Sequence, residues 1–333
     1  MGWKNTAELL VNSSDPTALA YAVRNGDRSA LAIALNLLDD SRTDARANAT
    51  AFLKALQSDA ENDQGRLIGL TGPPGVGKSS LTGALISTWR QRGLRVGVLA
   101  VDPSSPISGG ALLGDRLRML TGPEDDGVFI RSLSNRGEFG GISAEVWPMS
   151  LVMLATFDVV VVETVGVGQR EVDIANLCDT TCYVAQPGSG DSVQFIKAGI
   201  LEVPHVLVVN KEDMGAVATR TLSELSAVAG GIHPDGNWEV PVLSTSATGR
   251  TGIEALADTL EQHHAMQVDA NVLGARRRRS QASWVFKRLE GEFGRSGIKA
   301  LGGETQLLQQ MQAEHSNLFE QYETYRQQLQ AGR

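Results

Sequence analysis

Between about residue 66 and residue 265 the chain alternates short apolar, often β-branched runs with longer stretches in which apolar positions recur every three to four residues. A run that is apolar throughout, such as the four valines at 159–162, suits a strand covered on both faces. The three-to-four spacing instead marks a helix with one buried side. The expected strands are 67–71, 95–101, 128–132, 158–163, 181–186, 206–210 and 240–245. Strands separated by helices cannot pair as hairpins, so the alternation predicts an α/β fold: a doubly wound, mainly parallel sheet with helices on both faces.

The ends of the chain lack strand signals. Residues 1–60 read as a helical N-terminal extension, in which Ala45, Ala49, Phe52, Leu53 and Leu56 share one apolar face. The core is expected at 61–268 and a helical C-terminal extension at 269–333, made of stretches 270–294 and 304–331 separated by Gly294, Gly297, Gly302 and Gly303. The last stretch is rich in Gln and Glu, with Leu307, Leu308, Met311, Leu318, Phe319 and Tyr322 as its apolar points. It suits a packing appendage and equally a homodimerisation arm.

Composition removes several functions. At 333 residues and 42% hydrophobic content the chain can bury a large core. A net charge of −8, with one dense basic run at 276–279, argues against a grip on nucleic acid or on an anionic membrane surface. No apolar run approaches the roughly 20 residues that span a bilayer and no leader is recognisable, which leads to the expectation of a cytoplasmic protein. Cys178 and Cys182, the two cysteines, lack a second pair to complete a zinc site and read as core residues.

The chemistry lies at the expected strand ends. Gly72-Pro73-Pro74-Gly75-Val76-Gly77-Lys78-Ser79 follows an apolar strand and opens a helix at Ser80. In that context the glycines let backbone N–H groups converge on phosphates at the positive end of the helix dipole. Lys78 is expected to neutralise β- and γ-phosphate oxygens, and Ser79 to offer its hydroxyl to Mg²⁺.

Asn210-Lys211-Glu212-Asp213 ends another apolar strand. There Asp213 can accept from guanine N1–H and its exocyclic amine, a donor pair that adenine lacks. Asn210 can serve the Hoogsteen edge, the Lys211 stem can cover the ring, and a backbone N–H of Ser246-Ala247 can meet guanine O6. Glu163 ends the valine strand and can hold Mg²⁺ through water, while Gly166 lets a backbone N–H approach the γ-phosphate. Val167 follows where a glutamine would orient water, so slow intrinsic hydrolysis is expected. Asp102 and Asp115 suit an outer Mg²⁺ shell; Asp102 equally suits a helix cap, and Asp115 a water-positioning role or plain solvation.

Together, Gly72 to Ser79, Val101-Asp102-Pro103-Ser104-Ser105-Pro106, Gly114-Asp115-Arg116, Arg136 to Gly141, Glu163-Thr164-Val165-Gly166-Val167-Gly168-Gln169 and Asn210-Lys211-Glu212-Asp213 resemble the methylmalonyl-CoA mutase-associated GTPases of the MeaB or ArgK type. The resemblance covers nearly the whole chain. It implies a P-loop GTPase that cycles between GTP and GDP with Mg²⁺ and acts as a chaperone of an adenosylcobalamin-dependent acyl-CoA mutase, gating cofactor loading, protection or reactivation. It also implies metal or switch roles for Asp102, Asp115 and Glu163. A further mobile loop, containing Asp191 and Lys197, would pass the nucleotide state on, with Lys197 a source of positive charge in hydrolysis. Glu138 and Phe139 depart from the neutral or His-Leu-like side chains expected there, which leaves open which acyl-CoA mutase is served.

Two alternatives stand beside this reading. A nickel or other metallochaperone GTPase would need a His or Cys cluster, whereas the five histidines show no ligand spacing and His263-His264 reads as a partly exposed helix pair. A P-loop ATP-dependent kinase is opposed by Asp213.

Overall fold

The computed structural model describes residues 15–40, 42–58, 65–102, 125–134, 144–164, 170–188, 204–229, 238–314 and 316–331. Within them, seven strands, β1 (Arg66–Thr71), β2 (Val96–Asp102), β3 (Val128–Ser134), β4 (Val159–Thr164), β5 (Thr180–Ala185), β6 (Val206–Val209) and β7 (Val242–Ser244), form one sheet. Their order is β3-β2-β4-β1-β5-β6-β7 and every strand pairing is parallel. The α/β fold expected from the alternating pattern is therefore the fold observed.

Parallel pairing has a functional consequence: all the carboxyl ends lie along one edge. The chain leaves β1 toward β2 on one side and later fills β5, β6 and β7 on the other. The carboxyl end of β1 is thus the point where the winding reverses, and ligands of such sheets bind there.

The chain divides into two compact units, one of residues 65–143 and 157–271, the other of 1–64, 144–156 and 272–333. The first holds the sheet. Strands β4, β5 and β6 are buried at every position, as strands covered on both faces must be. On one face Ile68, Leu70, Val159 and Val161 pack with Leu81, Leu85 and Trp89 of α4 (Lys78–Gln91) and Leu256 and Leu260 of α8 (Ile253–Asp269). On the other, Tyr183, Leu207 and Val209 meet Ala218, Leu225 and Ala229 of α7 (Ala216–Ala229). The helix α6 (Arg170–Leu177) packs against β1, β4 and β5.

An ion pair joins the end of α4 to the residues just before β3. Arg90 Nε donates to both oxygens of Asp125, at 3.1 and 2.9 Å, and Arg90 Nη1 donates to Leu94 O at 2.7 Å. The Arg90 guanidinium holds the Asp125 carboxyl below the usual carboxylate range; burial opposes this and the Gly127 N–H assists it. A depressed carboxyl contributes stability above its unfolded value of about 3.9 and loses it as pH falls through the folded value. Asp125→Asn is therefore expected to lower stability at neutral pH and to flatten the loss of stability as pH falls below the ordinary carboxylate range of about 4, read from unfolding midpoints across acid pH.

In the second unit, Asp15 caps α1 (Pro16–Arg24) and Asp27 caps α2 (Arg28–Asp39), each carboxylate accepting two backbone N–H groups. The helix α5 (Val146–Leu154) is apolar almost all round and packs on α2. Thr156 Oγ1 donates to Val23 O at 3.1 Å. The helix α3 (Thr43–Ser58) is joined to α11 (Leu318–Ala331) by a Lys54–Glu320 ion pair of 2.9 Å.

The C-terminal helices differ from the expected pair of stretches. The helix α9 (Leu273–Ala300) runs through Gly294 by a kink, φ 65° and ψ −175°, because a glycine accepts that conformation without stopping the chain. It ends instead before Gly302 and Gly303. The next stretch divides into α10 (Glu304–Ala313) and α11, since Asn317 Oδ1 accepts from Phe319 N and Glu320 N and so starts a new helix. The Arg288 guanidinium lies 5.2 Å from the centroids of both Trp284 and Tyr322. Tyr322 donates its hydroxyl to Glu292, which also accepts from Arg326 Nε at 3.0 Å. Burial opposes ionisation of Glu292, but these two donors outweigh it and its carboxyl lies below the ordinary range.

Candidate nucleotide site

The loop after β1 curls at the winding-reversal point. Gly72 has φ 141°, and a Cβ there would lie 2.2 Å from Val184 O on the neighbouring strand β5. Gly77, at φ 91°, precedes α4, and its Cβ would lie 2.6 Å from Asn210 Nδ2. Both positions demand glycine for space as well as for dihedral angle. The loop is therefore shaped by the strands beside it.

Lys78 is buried, and its ammonium donates to Gly72 O at 2.7 Å and Pro73 O at 2.8 Å. The loop's own carbonyls thus hold this charge at the mouth of the cradle. Ser79 Oγ donates to Glu163 Oε1 at 2.7 Å. Glu163 comes from the end of β4, paired in register with Leu70 of β1 and Ala100 of β2, and is itself buried. Two residues 84 positions apart in sequence are brought together because β4 and β1 are neighbours.

The second cluster lies past β6 and β7. Asn210 Nδ2 donates to Val76 O at 2.8 Å, and Asn210 Oδ1 accepts from Thr245 Oγ1 at 3.2 Å and Ala247 N at 3.3 Å. The sequence expects Asn210 at the Hoogsteen edge of a base; in the structure its amide ties three loops together. Lys211 adopts φ 64°, a left-handed conformation that costs a non-glycine residue about 1 kcal/mol or more. That geometry sends Lys211 Nζ to Gly75 O at 2.7 Å, so the stem crosses from the base loop to the phosphate loop.

Asp213 sits on an exposed 3-10 turn (Glu212–Met214) anchored by Glu212 N donating to Thr245 O at 2.9 Å. One Asp213 oxygen accepts from Ser246 Oγ at 2.6 Å; among the described residues no donor takes the other. Ser246 N is committed to Thr251 O at 3.0 Å, which leaves the long, weak contact of Ala247 N as the one that can be exchanged for a ligand. Of the pair Ser246-Ala247, then, Ala247 suits a carbonyl oxygen such as guanine O6.

Sequence reasoning missed three hydroxyls: Thr82, Thr245 and Thr164, the last accepted by Thr71 Oγ1 at 3.2 Å. Only Thr82 carried a signal, standing three residues after Ser79 and so on the same helix face. Pro73, Pro74, Gly75, Val76 and Ser80 occupy the loop and first turn as expected. Asp102 closes β2 in register with Ser134. Asp115, Gly166, Val167, Asp191 and Lys197, together with the 136–141 segment, lie outside the described residues.

The histidine pair corrects the sequence reading. His263 and His264 are buried, not partly exposed. His263 Nδ1 lies 2.8 Å from Thr180 Oγ1, and its ring centroid lies 4.3 Å from that of His205, tilted, and 4.8 Å from that of Trp238, edge to face. Thr180 opens β5, His205 precedes β6 and Trp238 precedes β7, contacts invisible to helical periodicity.

A phosphate loop at the reversal point of a parallel sheet, with an acid on the adjacent strand and an Asn-Lys-x-Asp turn two strands away, defines a P-loop nucleotide hydrolase. Residues 31–297 match the family of the methylmalonyl-CoA mutase-associated GTPase MeaB, and the chain belongs to that family. A probable GTPase of Mycobacterium tuberculosis is 41% identical over 273 residues, 81% of each chain. The GTPase ArgK of Escherichia coli is 32% identical, covering 85% of this chain and 86% of its own. The mitochondrial methylmalonic aciduria type A homolog of Caenorhabditis briggsae is 30% identical across 87% of this chain and 73% of its own. The solved structure of an LAO/AO transport system kinase shares the fold, with a TM-score of 0.69 at 24% identity over 97% of this chain and 99% of that one. The chain is a GTPase and binds guanine nucleotide. Among the described residues no helix is long and apolar enough to cross a membrane.

Proposed function

We propose that this GTPase is a nucleotide-timed chaperone of an adenosylcobalamin-dependent acyl-CoA mutase, methylmalonyl-CoA mutase or a close relative, whose cofactor loading, protection or reactivation it gates. The observation that carries the reading is the match of 267 residues, 31–297, to a family named for association with that mutase. A homodimer built through the C-terminal helices belongs to the same proposal.

In this reading the residues 72–80 cradle the phosphates, and Asn210, Lys211, Asp213, Ser246 and Ala247 form and brace the base pocket. Lys78 neutralises charge on the β- and γ-phosphates. The hard oxygens of Ser79 and Glu163, converging at 2.7 Å beside the loop, suit Mg²⁺. Asp102 and Asp115 would add outer ligands. The ion would supply charge neutralisation between phosphate oxygens. Gly166 and Lys197 would sense and stabilise the γ-phosphate. With Val167 in place of a water-orienting glutamine, hydrolysis waits for the partner.

Two measurements test the chaperone role. Co-purification with a panel of cobalamin-dependent mutases is expected to succeed with one of them and to differ between GDP and a non-hydrolysable GTP analogue. Phosphate release is expected to rise on adding that mutase. Binding to none of the panel would overturn the partnership while leaving the GTPase intact.

A further inference from the structure

The carboxylate of Glu163 is held from two sides. Ser79 Oγ donates to Oε1 at 2.7 Å, and Thr82 Oγ1 donates to Oε2 at 2.9 Å. Ser79 and Thr82 stand three residues apart in the first turns of α4, which puts both hydroxyls on the face turned to the end of β4. Thr82 is wholly buried and Glu163 nearly so.

Helix hydroxyls commonly bond the carbonyl four residues earlier, as Ser87 and Thr259 do here. Thr82 also lies 3.0 Å from Lys78 O. It has one proton to give, and a bond to an ionised carboxylate is roughly twice as strong as one to a neutral carbonyl. The proton therefore goes to Glu163. Ordered backbone on both sides of Glu163 fixes its Cα, through the pairings with Leu70 and Ala100, and the two hydroxyls then fix the plane of its carboxylate.

We infer that Thr82 is a positioning residue for the metal side of the site: it anchors Glu163 through Oε2 and keeps Oε1 turned toward Ser79. The inference rests on the proposed assignment of Ser79 and Glu163 to Mg²⁺. Without the Thr82 hydroxyl, Oε2 is a buried charged oxygen that has lost a donor, and the carboxylate rotates to seek another. The group Thr82 acts through is Glu163. No contact of Thr82 with nucleotide is required.

The test compares wild type, Thr82→Val, which keeps shape without the hydroxyl, and Thr82→Ser, which keeps the hydroxyl. The readout is the Mg²⁺ concentration giving half of the maximal gain in affinity for a fluorescent GDP analogue, with affinity in EDTA and the unfolding midpoint measured alongside. Thr82→Val is expected to need about tenfold more Mg²⁺, as loss of an outer partner of a metal-binding group generally does, with affinity in EDTA unchanged within about twofold. Thr82→Ser is expected to match wild type. Thr82→Ala carries the same expectation if valine impairs folding. Unchanged Mg²⁺ dependence in the folded Val or Ala variant, or a serine variant as impaired as they are, overturns the role of Thr82. A wild type whose guanine nucleotide binding ignores Mg²⁺ overturns the assignment of Ser79 and Glu163 beneath it.

Discussion

Lys78→Ala is expected to reduce GTP turnover by on the order of 10²–10³-fold, the size of effect seen when one preorganised donor is removed from a site of developing negative charge. The ammonium is buried and held by Gly72 O and Pro73 O at 2.7 and 2.8 Å, so its position is set before phosphate arrives. A site that has already met the cost of placing a charge loses the whole benefit when that charge goes. Nucleotide affinity should fall as well, because ground-state phosphates carry the same oxygens. Lys78→Arg is not expected to restore turnover, since a planar guanidinium cannot occupy the space of a compact ammonium under the loop. Phosphate release and calorimetric titration of GDP measure the two effects. A variant that folds and retains turnover within about threefold of wild type would remove Lys78 from the role that phosphoryl-transfer sites give it.

Asp213→Ala is expected to cost roughly 10²–10⁴-fold in preference for GTP over ATP, because two hydrogen bonds to a charged group contribute about 1.5–3 kcal/mol each. The turn that carries Asp213 is braced rather than loose. Glu212 N is tied to Thr245 O, Lys211 spans to Gly75 O, and Ser246 Oγ orients the carboxylate at 2.6 Å. A carboxylate fixed in this way can take the paired donors of guanine, whereas adenine offers no such pair. Ser246→Ala, which leaves Asp213 in place but unbraced, should lose a smaller part of the same preference. Affinities for GTP and ATP in each variant separate the contributions.

Much of the architecture is legible in the chain because burial on both faces writes itself as uninterrupted apolar sequence. The valines of β4 and the run Val206 to Val209 of β6 are of this kind, and the strands expected there are present. The phosphate loop is legible because its glycines answer local steric demands from β5 and from Asn210. What escaped the sequence depends on distant partners. His263 looks like a surface helix residue until Thr180, His205 and Trp238 are placed around it. Thr82 looks like any helical threonine until β4 brings Glu163 to it. Asn210 reads as a base contact, and its second part, joining the loops after β1 and β7 through its amide, is set by residues far away in sequence. Glycines misled for a related reason: Gly294 kinks α9 without ending it, since one left-handed residue bends a helix whose flanks remain packed.

The same geometry explains how two distant motifs act as one site. Gly75 and Val76 of the phosphate loop accept from Lys211 and Asn210 of the base loop. In the proposed assignment of these loops, a ligand that fixes one would fix the other, coupling guanine recognition to the phosphate grip through direct hydrogen bonds.

Guanine selection is tested most directly by displacement of a fluorescent GDP analogue from the full-length protein in Mg²⁺, with GTP and ATP as competitors. Recognition through Asp213 requires GTP to displace the probe at a concentration about 100-fold or more below that needed for ATP. Displacement by ATP at equal or lower concentration would contradict it.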